Sequence, residues 1–213
     1  MHKLGEYNQI VFDCDGVILD SNEIKSKAFL ESLSGEDELM LQSFLEYHMA
    51  NGGISRFVKF EYFFKNIKQQ KDYQKDLNDA LKRYSKLSFE RLLSSGEIKG
   101  VRGVLEFLSS QNIDCFVVSG GEQGEVRAVL ERKGLSQYFR EIFGSPIKKE
   151  NHLSNLHLDK ALYFGDAKSD YTAAMKFNMD FVYIDGASDW KDGVDFCKSR
   201  GVNIFKDFSC LSF

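Results

Sequence analysis

Proline is nearly missing from this chain, with one residue in 213. No proline-rich linker is therefore present, and nothing of low complexity or repeated takes its place. Cysteine is sparse and unpatterned. Cys14, Cys115, Cys197 and Cys210 form no CxxC pair, and two of them lie inside apolar runs. This argues against a disulfide framework or a zinc site and for reduced, mostly buried thiols. The histidines, His2, His48, His152 and His157, show no metal-ligand spacing. Nowhere do about 18 consecutive apolar residues occur, as a membrane span would need. The polar start, Met1 to Asn8, lacks the apolar stretch of a signal peptide. A cytoplasmic location is the expectation. There is no basic excess either: the formal net charge is −4, so the chain as a whole is not expected to bind nucleic acid or an anionic membrane.

What is present is enough chain, 213 residues, for one well-buried core or for a core with a smaller inserted domain, with 43% hydrophobic residues as in an ordinary globular protein. Short apolar runs at Ile10-Val11-Phe12, Ile113 to Val118, Ala161 to Phe164 and Phe181 to Ile184 read as strands buried on both faces. Val202 to Phe205 adds a last candidate. Between the later runs, Val104, Leu105 and Leu108 share a helical face, as do Val126, Val129 and Leu130, and Tyr171, Ala174, Met175 and Asn178. Alternating strands and helices predict an α/β core with a doubly wound, Rossmann-like parallel sheet.

Residues 22 to about 94 contain no such strand. Leu41, Phe44, Leu45 and His48 fit one helix, Phe57, Phe60, Phe64 and Ile67 a second, and Leu77, Leu81, Tyr84 and Leu87 a third. Gly52-Gly53 breaks the chain between the first two. The expected organisation is a core of residues 1–20 and 95–213, with an all-helical cap of residues 21–94 inserted into it.

In a doubly wound sheet, ligands bind beyond the carboxyl ends of the strands. The segments found there are Asp13-Cys14-Asp15-Gly16, Ser119-Gly120-Gly121, and Gly165-Asp166-Ala167-Lys168-Ser169-Asp170. Carboxylates crowded at one edge need a cation to remain ionised, and an all-oxygen cluster suits Mg²⁺. At strand spacing Asp13 and Asp15 share a side, while Cys14 points to the core. Ser119 offers a hydroxyl, and the amides of Gly120 and Gly121 suit an anionic oxygen at a helix start. Lys148 or Lys149, after Gly144-Ser145-Pro146, supplies positive charge.

Taken together, Asp13-Cys14-Asp15-Gly16-Val17, Ser119, Gly144 to Lys149 and Gly165 to Asp170 resemble, in order, the four motifs of the haloacid dehalogenase superfamily. The helical insert resembles the cap of its phosphoglycolate phosphatase and β-phosphoglucomutase branch. The resemblance implies that Asp13 attacks phosphorus to give an aspartyl-phosphate and that Asp15 is the general acid and base, with a raised pKa. It implies Mg²⁺ held by Asp13, the Asp15 backbone carbonyl and Asp166, with Asp170 behind them. Ser119, Gly120 and a lysine, Lys149 by the family's spacing, then hold the phosphate. Gly53-Ile54-Ser55-Arg56 resembles a cap signature whose arginine takes a second anionic group of the substrate. A solvated arginine is the alternative for Arg56. Asn22, Glu23 and Lys25 stand where the chain leaves the core, a place from which they can line the pocket mouth, and a solvated face is the favoured reading for each.

Lys25 occupies the place of a histidine in the mutase relatives, which moves the expectation from a phosphomutase to a phosphatase. A small phosphorylated metabolite, such as a sugar phosphate or phosphoglycolate, is the expected substrate. The expected assembly is a monomer or weak dimer. A third possibility, a phosphorylatable switch without turnover, leaves Asp15 without a purpose.

Overall fold

Ile10, Val11 and Phe12 are fully buried, and this places their strand in the middle of a sheet rather than at an edge. The computed structural model describes residues 4–211. The outermost residues of the expected core, 1–3 (with His2) and 212–213, lie outside them. The strands are β1 (Gln9–Phe12), β2 (Leu19–Asp20), β3 (Gly96–Glu97), β4 (Asp114–Glu122), β5 (Glu141–Ser145), β6 (Ala161–Gly165), β7 (Asp180–Ile184) and β8 (Asn203–Phe205). Six of them form one parallel sheet in the order β5-β4-β1-β6-β7-β8. The helices are α1 (Asn22–Ser32), α2 (Glu38–Ala50), α3 (Arg56–Tyr62), α4 (Gln74–Ser94), α5 (Val101–Ser110), α6 (Gln123–Arg132), α7 (Lys149–Leu153), α8 (Lys168–Lys176) and α9 (Gly193–Lys198).

Strand alternation divides the core in two. Ile10 and Phe12 pack with Val104, Leu105 and Leu108 of α5 and Val126 and Val129 of α6. Val11 faces the other way, with Ala173 and Ala174 of α8 and Cys197 of α9. Helices therefore cover both faces of the sheet, the doubly wound α/β arrangement the sequence predicts. Phe12 lies opposite Val117 of β4 on one side and Phe164 of β6 on the other. That register aligns the carboxyl ends of β1 and its two neighbours, and with them the segments that follow.

The helical segment α1–α4 leaves after β2 and returns at β3. These two strands pair antiparallel, Leu19 opposite Glu97 and Asp20 opposite Gly96, so the two crossings run side by side. The segment has its own core of Phe29, Phe44, Phe60, Phe63, Phe64, Leu77 and Tyr84. Asp37 caps α2 by accepting from the Leu39 and Met40 amides, and Ser55 caps α3 through the Phe57 amide. After α3 the chain continues into a π-helical turn, Phe63–Ile67.

Several elements differ from the sequence expectation. β4 does not stop at Val118 but continues through Glu122, with a register shift against β5. β5 itself, bearing Gly144 and an exposed Glu141, is a strand the apolar runs do not announce. α8 buries Asp170, Ala173 and Ala174. Met175, expected on that face, is exposed, and Asn178 lies beyond the helix with φ 57. The cysteines are all unpaired; Cys14, Cys115 and Cys197 are buried and Cys210 is exposed. Among the described residues, no helix is long and apolar enough to cross a membrane.

Candidate active site

Beyond β1 the chain turns within a few residues. The Ile18 and Leu19 amides both donate to the Cys14 carbonyl, and the Gly16 amide donates to Leu19 O at 2.8 Å. Gly16 stands at φ +73, against the Asp166 carboxylate and the Asn22 amide, where a side chain has no room. The turn leaves Cys14 in the core and Asp13 and Asp15 on the floor of a cavity of about 560 Å³. Ser119 and Lys149 from the neighbouring strand ends, Asp166 from β6, and residues of α1 to α4 complete its wall.

The carboxylates converge as predicted. One oxygen each from Asp13, Asp166 and Asp170 lies within 4.8 Å of the others, and all three residues are buried. Lys149 sits among them, its Nζ 3.1 Å from Asp13 Oδ1 and 2.5 Å from Asp170 Oδ1. Burial works against its charge, but Asp13 and Asp170 outweigh burial and hold the ammonium well above its ordinary range. Lys148, which the sequence leaves open, also lines the cavity but is exposed, and it precedes α7. Asp170 is fully engaged. Its Oδ2 accepts the Asp166 and Ala167 amides at 3.2 and 3.1 Å, and Tyr163 donates to Oδ1 at 3.3 Å. It therefore caps the start of α8 and orients Lys149 at once.

Asp13 differs in that its Oδ1 accepts no hydrogen bond. Burial pushes its carboxyl up to about 7, Lys149 pulling down and Asp170 and Asp15 pushing further up. Burial, Asp13 and Asp170 likewise hold Asp166 well above the carboxylate range, which the Asn22 amide at 2.6 Å only partly offsets. Two buried carboxylates that neighbouring protein charge does not fully neutralise are what a hard divalent cation requires. Asp13 and Asp166 fit Mg²⁺ by that measure. Asp170, with both oxygens already engaged, fits a supporting role.

Asp15 corrects the expectation of a raised pKa. Burial would raise it, but an ion pair with Lys25, together with a 2.6 Å hydrogen bond from Ser21, brings the carboxyl below its ordinary value. Lys25 and Asn22 thus belong to the site. Asn22 also donates to Ala187 O at 2.8 Å, bridging the base of the helical segment to the core. Only Glu23 has the solvated role expected of all three.

Ser119 is buried at the cavity floor and accepts the Gly121 amide at 2.9 Å. The Gly121 amide is consequently not open to a ligand, and the helix begins two residues later, at Gln123. Gly120 is pressed against the Gly53 carbonyl of the helical segment, where a Cβ would collide. Ser145, at the end of β5, is a residue that sequence reasoning does not single out. Its buried Oγ lines the cavity without a hydrogen-bond partner in the protein.

Arg56 is the second correction. It lines the cavity and is buried rather than solvated; its charge is paired, while its Nε has no hydrogen-bond partner in the protein. Its guanidinium is ion-paired with Glu125 of α6, donates to Ser85 Oγ at 3.2 Å and lies 4.5 Å from the Tyr84 ring centroid. The fork expected to meet a substrate anion is already neutralised inside the protein.

Fold and site define a doubly wound hydrolase core with an inserted helical cap, and residues 10–184 match the family described as haloacid dehalogenase-like hydrolase. The chain belongs to that family. A phosphoglycolate phosphatase of Photobacterium profundum is 24% identical over 184 residues, 78% of this chain and 77% of its own. Among solved structures, a predicted phosphoglycolate phosphatase from Haemophilus somnus superposes with a TM-score of 0.74 at 18% identity, over 96% of each chain. A predicted phosphatase from Clostridium acetobutylicum gives 0.69 at 22% identity, over 93% of each. At these identities the two structures speak for the fold.

Proposed function

We propose that this hydrolase is a Mg²⁺-dependent phosphatase of a small phosphorylated metabolite, working through an aspartyl-phosphate on Asp13. The observation that carries the reading is the Asp13 Oδ1: a buried carboxylate oxygen, free of hydrogen bonds, lining the cavity with Lys149 Nζ at 3.1 Å. A nucleophile needs such a free lone pair. Mg²⁺ at Asp13, Asp166 and the Asp15 carbonyl supplies the positive charge that lets an anionic carboxylate face an anionic phosphate.

The chain's own groups do the rest. Lys149 and the hydroxyls of Ser119 and Ser145 bind the non-reacting phosphate oxygens. Asp13 forms its bond to phosphorus as the ester P–O bond breaks, and Asp15 delivers a proton to the departing alkoxide. Asp15, now a carboxylate, then takes a proton from water as the water oxygen attacks phosphorus and Asp13 leaves. Asp15 can carry that first proton once the incoming phosphate dianion competes for Lys25. The helical segment encloses the reaction and keeps bulk water from it.

The test is phosphate release from sugar phosphates, phosphoglycolate and nucleotides, with and without Mg²⁺, by the native chain and by Asp13→Asn. Metal-dependent release abolished by the substitution is expected. Release that survives in Asp13→Asn removes Asp13 as nucleophile, and no release from any ester by folded protein favours a mutase or a switch.

A further inference from the structure

The helical segment contributes three cations to the cavity wall, the half-buried Lys25 and the buried Arg56 and Lys59. Two of them have carboxylate partners, Lys25 in Asp15 and Arg56 in Glu125. Lys59, on α3, is only 3% exposed, and among the described residues no carboxylate lies within ion-pair distance of it. Its Nζ has two neutral neighbours, His48 Nδ1 at 2.9 Å and the His48 carbonyl at 3.2 Å. An ammonium carries three N–H groups, so one of them has no acceptor in the protein. The carboxylates whose field it feels, Asp15, Asp189 and Asp166, belong to the core part of the same cavity.

A buried ammonium without a counter-charge costs several kcal/mol, so its presence calls for a reason. Here the group is held in place rather than merely trapped. Burial and Lys59 keep the His48 imidazole neutral, with its pKa down at about 2, so Nδ1 is an acceptor. The proton then sits on Nε2, 2.9 Å from Ser26 Oγ. The Phe29 ring lies 5.5 Å below the ammonium. Lys59 is thus a pre-oriented donor with one vacant N–H and an unanswered charge. Burial draws its pKa down to about 7, a charge that an arriving anion would restore.

We propose that Lys59, positioned by His48, binds a second oxyanion of the substrate, a carboxylate or a second phosphate, away from the phosphate that meets Asp13. The inference rests on the phosphatase reading only for the placement of the reacting phosphate. It moves second-anion recognition from Arg56, whose charge Glu125 already answers, to a residue three positions further along the same helix.

The test is binding, so that it does not depend on turnover. With the full chain carrying Asp13→Asn in Mg²⁺, calorimetry gives Kd for three matched pairs. These are phosphoglycolate with hydroxyethyl phosphate, phosphoglycerate with glycerol phosphate, and ribulose bisphosphate with ribulose monophosphate. In at least one pair the two-anion member is expected to bind about 10- to 100-fold more tightly, the range of a charge-assisted hydrogen bond. Adding Lys59→Met is expected to erase that preference while the single-anion member changes by less than about twofold. Lys59→Gln serves the same purpose if the methionine variant does not fold. Which pair responds tells carboxylate from phosphate. No preference in any pair, a preference that survives the substitution, or equal weakening of both members overturns the proposal. Phosphate release by the native chain is measured alongside. Preference without release leaves Lys59 in its role and removes the phosphatase reading; release without preference does the reverse.

Discussion

Arg56 of the helical segment and Glu125 of the core form a buried ion pair, and Ser88 donates to the second Glu125 oxygen at 2.5 Å. Removing one partner leaves the other charged and unanswered. Glu125→Ala is expected to destabilise the protein by about 3–5 kcal/mol, measured by urea unfolding. The double variant Arg56→Met, Glu125→Ala should recover most of that loss. Additive losses would mean that the pair is not coupled.

Asp13 gives a stability signature in metal-free protein. Its carboxyl is raised from 3.8 to about 7, so between these values the folded chain holds a proton that the unfolded chain has lost. Stability attributable to Asp13 is therefore present at low pH and declines as pH rises through that window. Asp13→Asn removes the decline. In chelator, the variant should melt above the native protein at pH 8, with the gap closing toward pH 4. Mg²⁺ should narrow or reverse the gap by stabilising the native chain more than the variant. A gap that does not vary with pH contradicts the assignment.

Lys25 sets the ionisation of Asp15. Replacing it with Gln removes the charge that holds the carboxyl down, and an acid that has lost a cationic neighbour titrates higher. If Asp15 must be protonated to release the alcohol, activity should persist to higher pH. The descending limb of kcat/KM against pH, which reports the free enzyme, is expected to move up. An unmoved limb would show that it reports another group.

Gly16 is a backbone position with no room for a side chain. Gly16→Ala combines an unfavourable positive φ with a collision against Asp166. The circular dichroism of the variant should remain native-like, while kcat falls by about 100-fold, as for a displacement near 1 Å of a reacting group. Near-native turnover would show that the turn has room to relax.

The residues after β1 and β6 could be read from sequence because strand period and strand ends fix them locally: Asp13 and Asp15 share a side, and Asp166 follows a fully buried strand. What could not be read depends on distant pairing. Glu125 lies 69 positions from Arg56, on a helix whose periodicity speaks only for its apolar face. The same holds for Lys25, whose charge reads as solvent-facing until the turn at Gly16 brings Asp15 back to it. Tyr163 looks like ordinary strand filling, yet its hydroxyl donates to Val118 O at 3.1 Å and reaches Asp170. β5 escapes notice because its apolar residues are few and Gly144 interrupts them. Lys59 sits one position before Phe60, in a stripe that reads as interior packing, and nothing local reveals that its ammonium stays inside with it.

The sheet order has a consequence for biosynthesis. β1 is made first but lies between β4 and β6, and Asn22 waits for Asp166, 144 residues later. A nascent chain that has emerged only as far as α4 can gather the aromatic cluster of its helices, yet it lacks Lys149, Asp166 and Asp170, the partners that surround Asp13 in the finished fold. The carboxylate cluster is thus assembled late in synthesis, when the sixth strand docks beside the first. In refolding, activity that depends on these residues is expected to return only once β6 has joined β1.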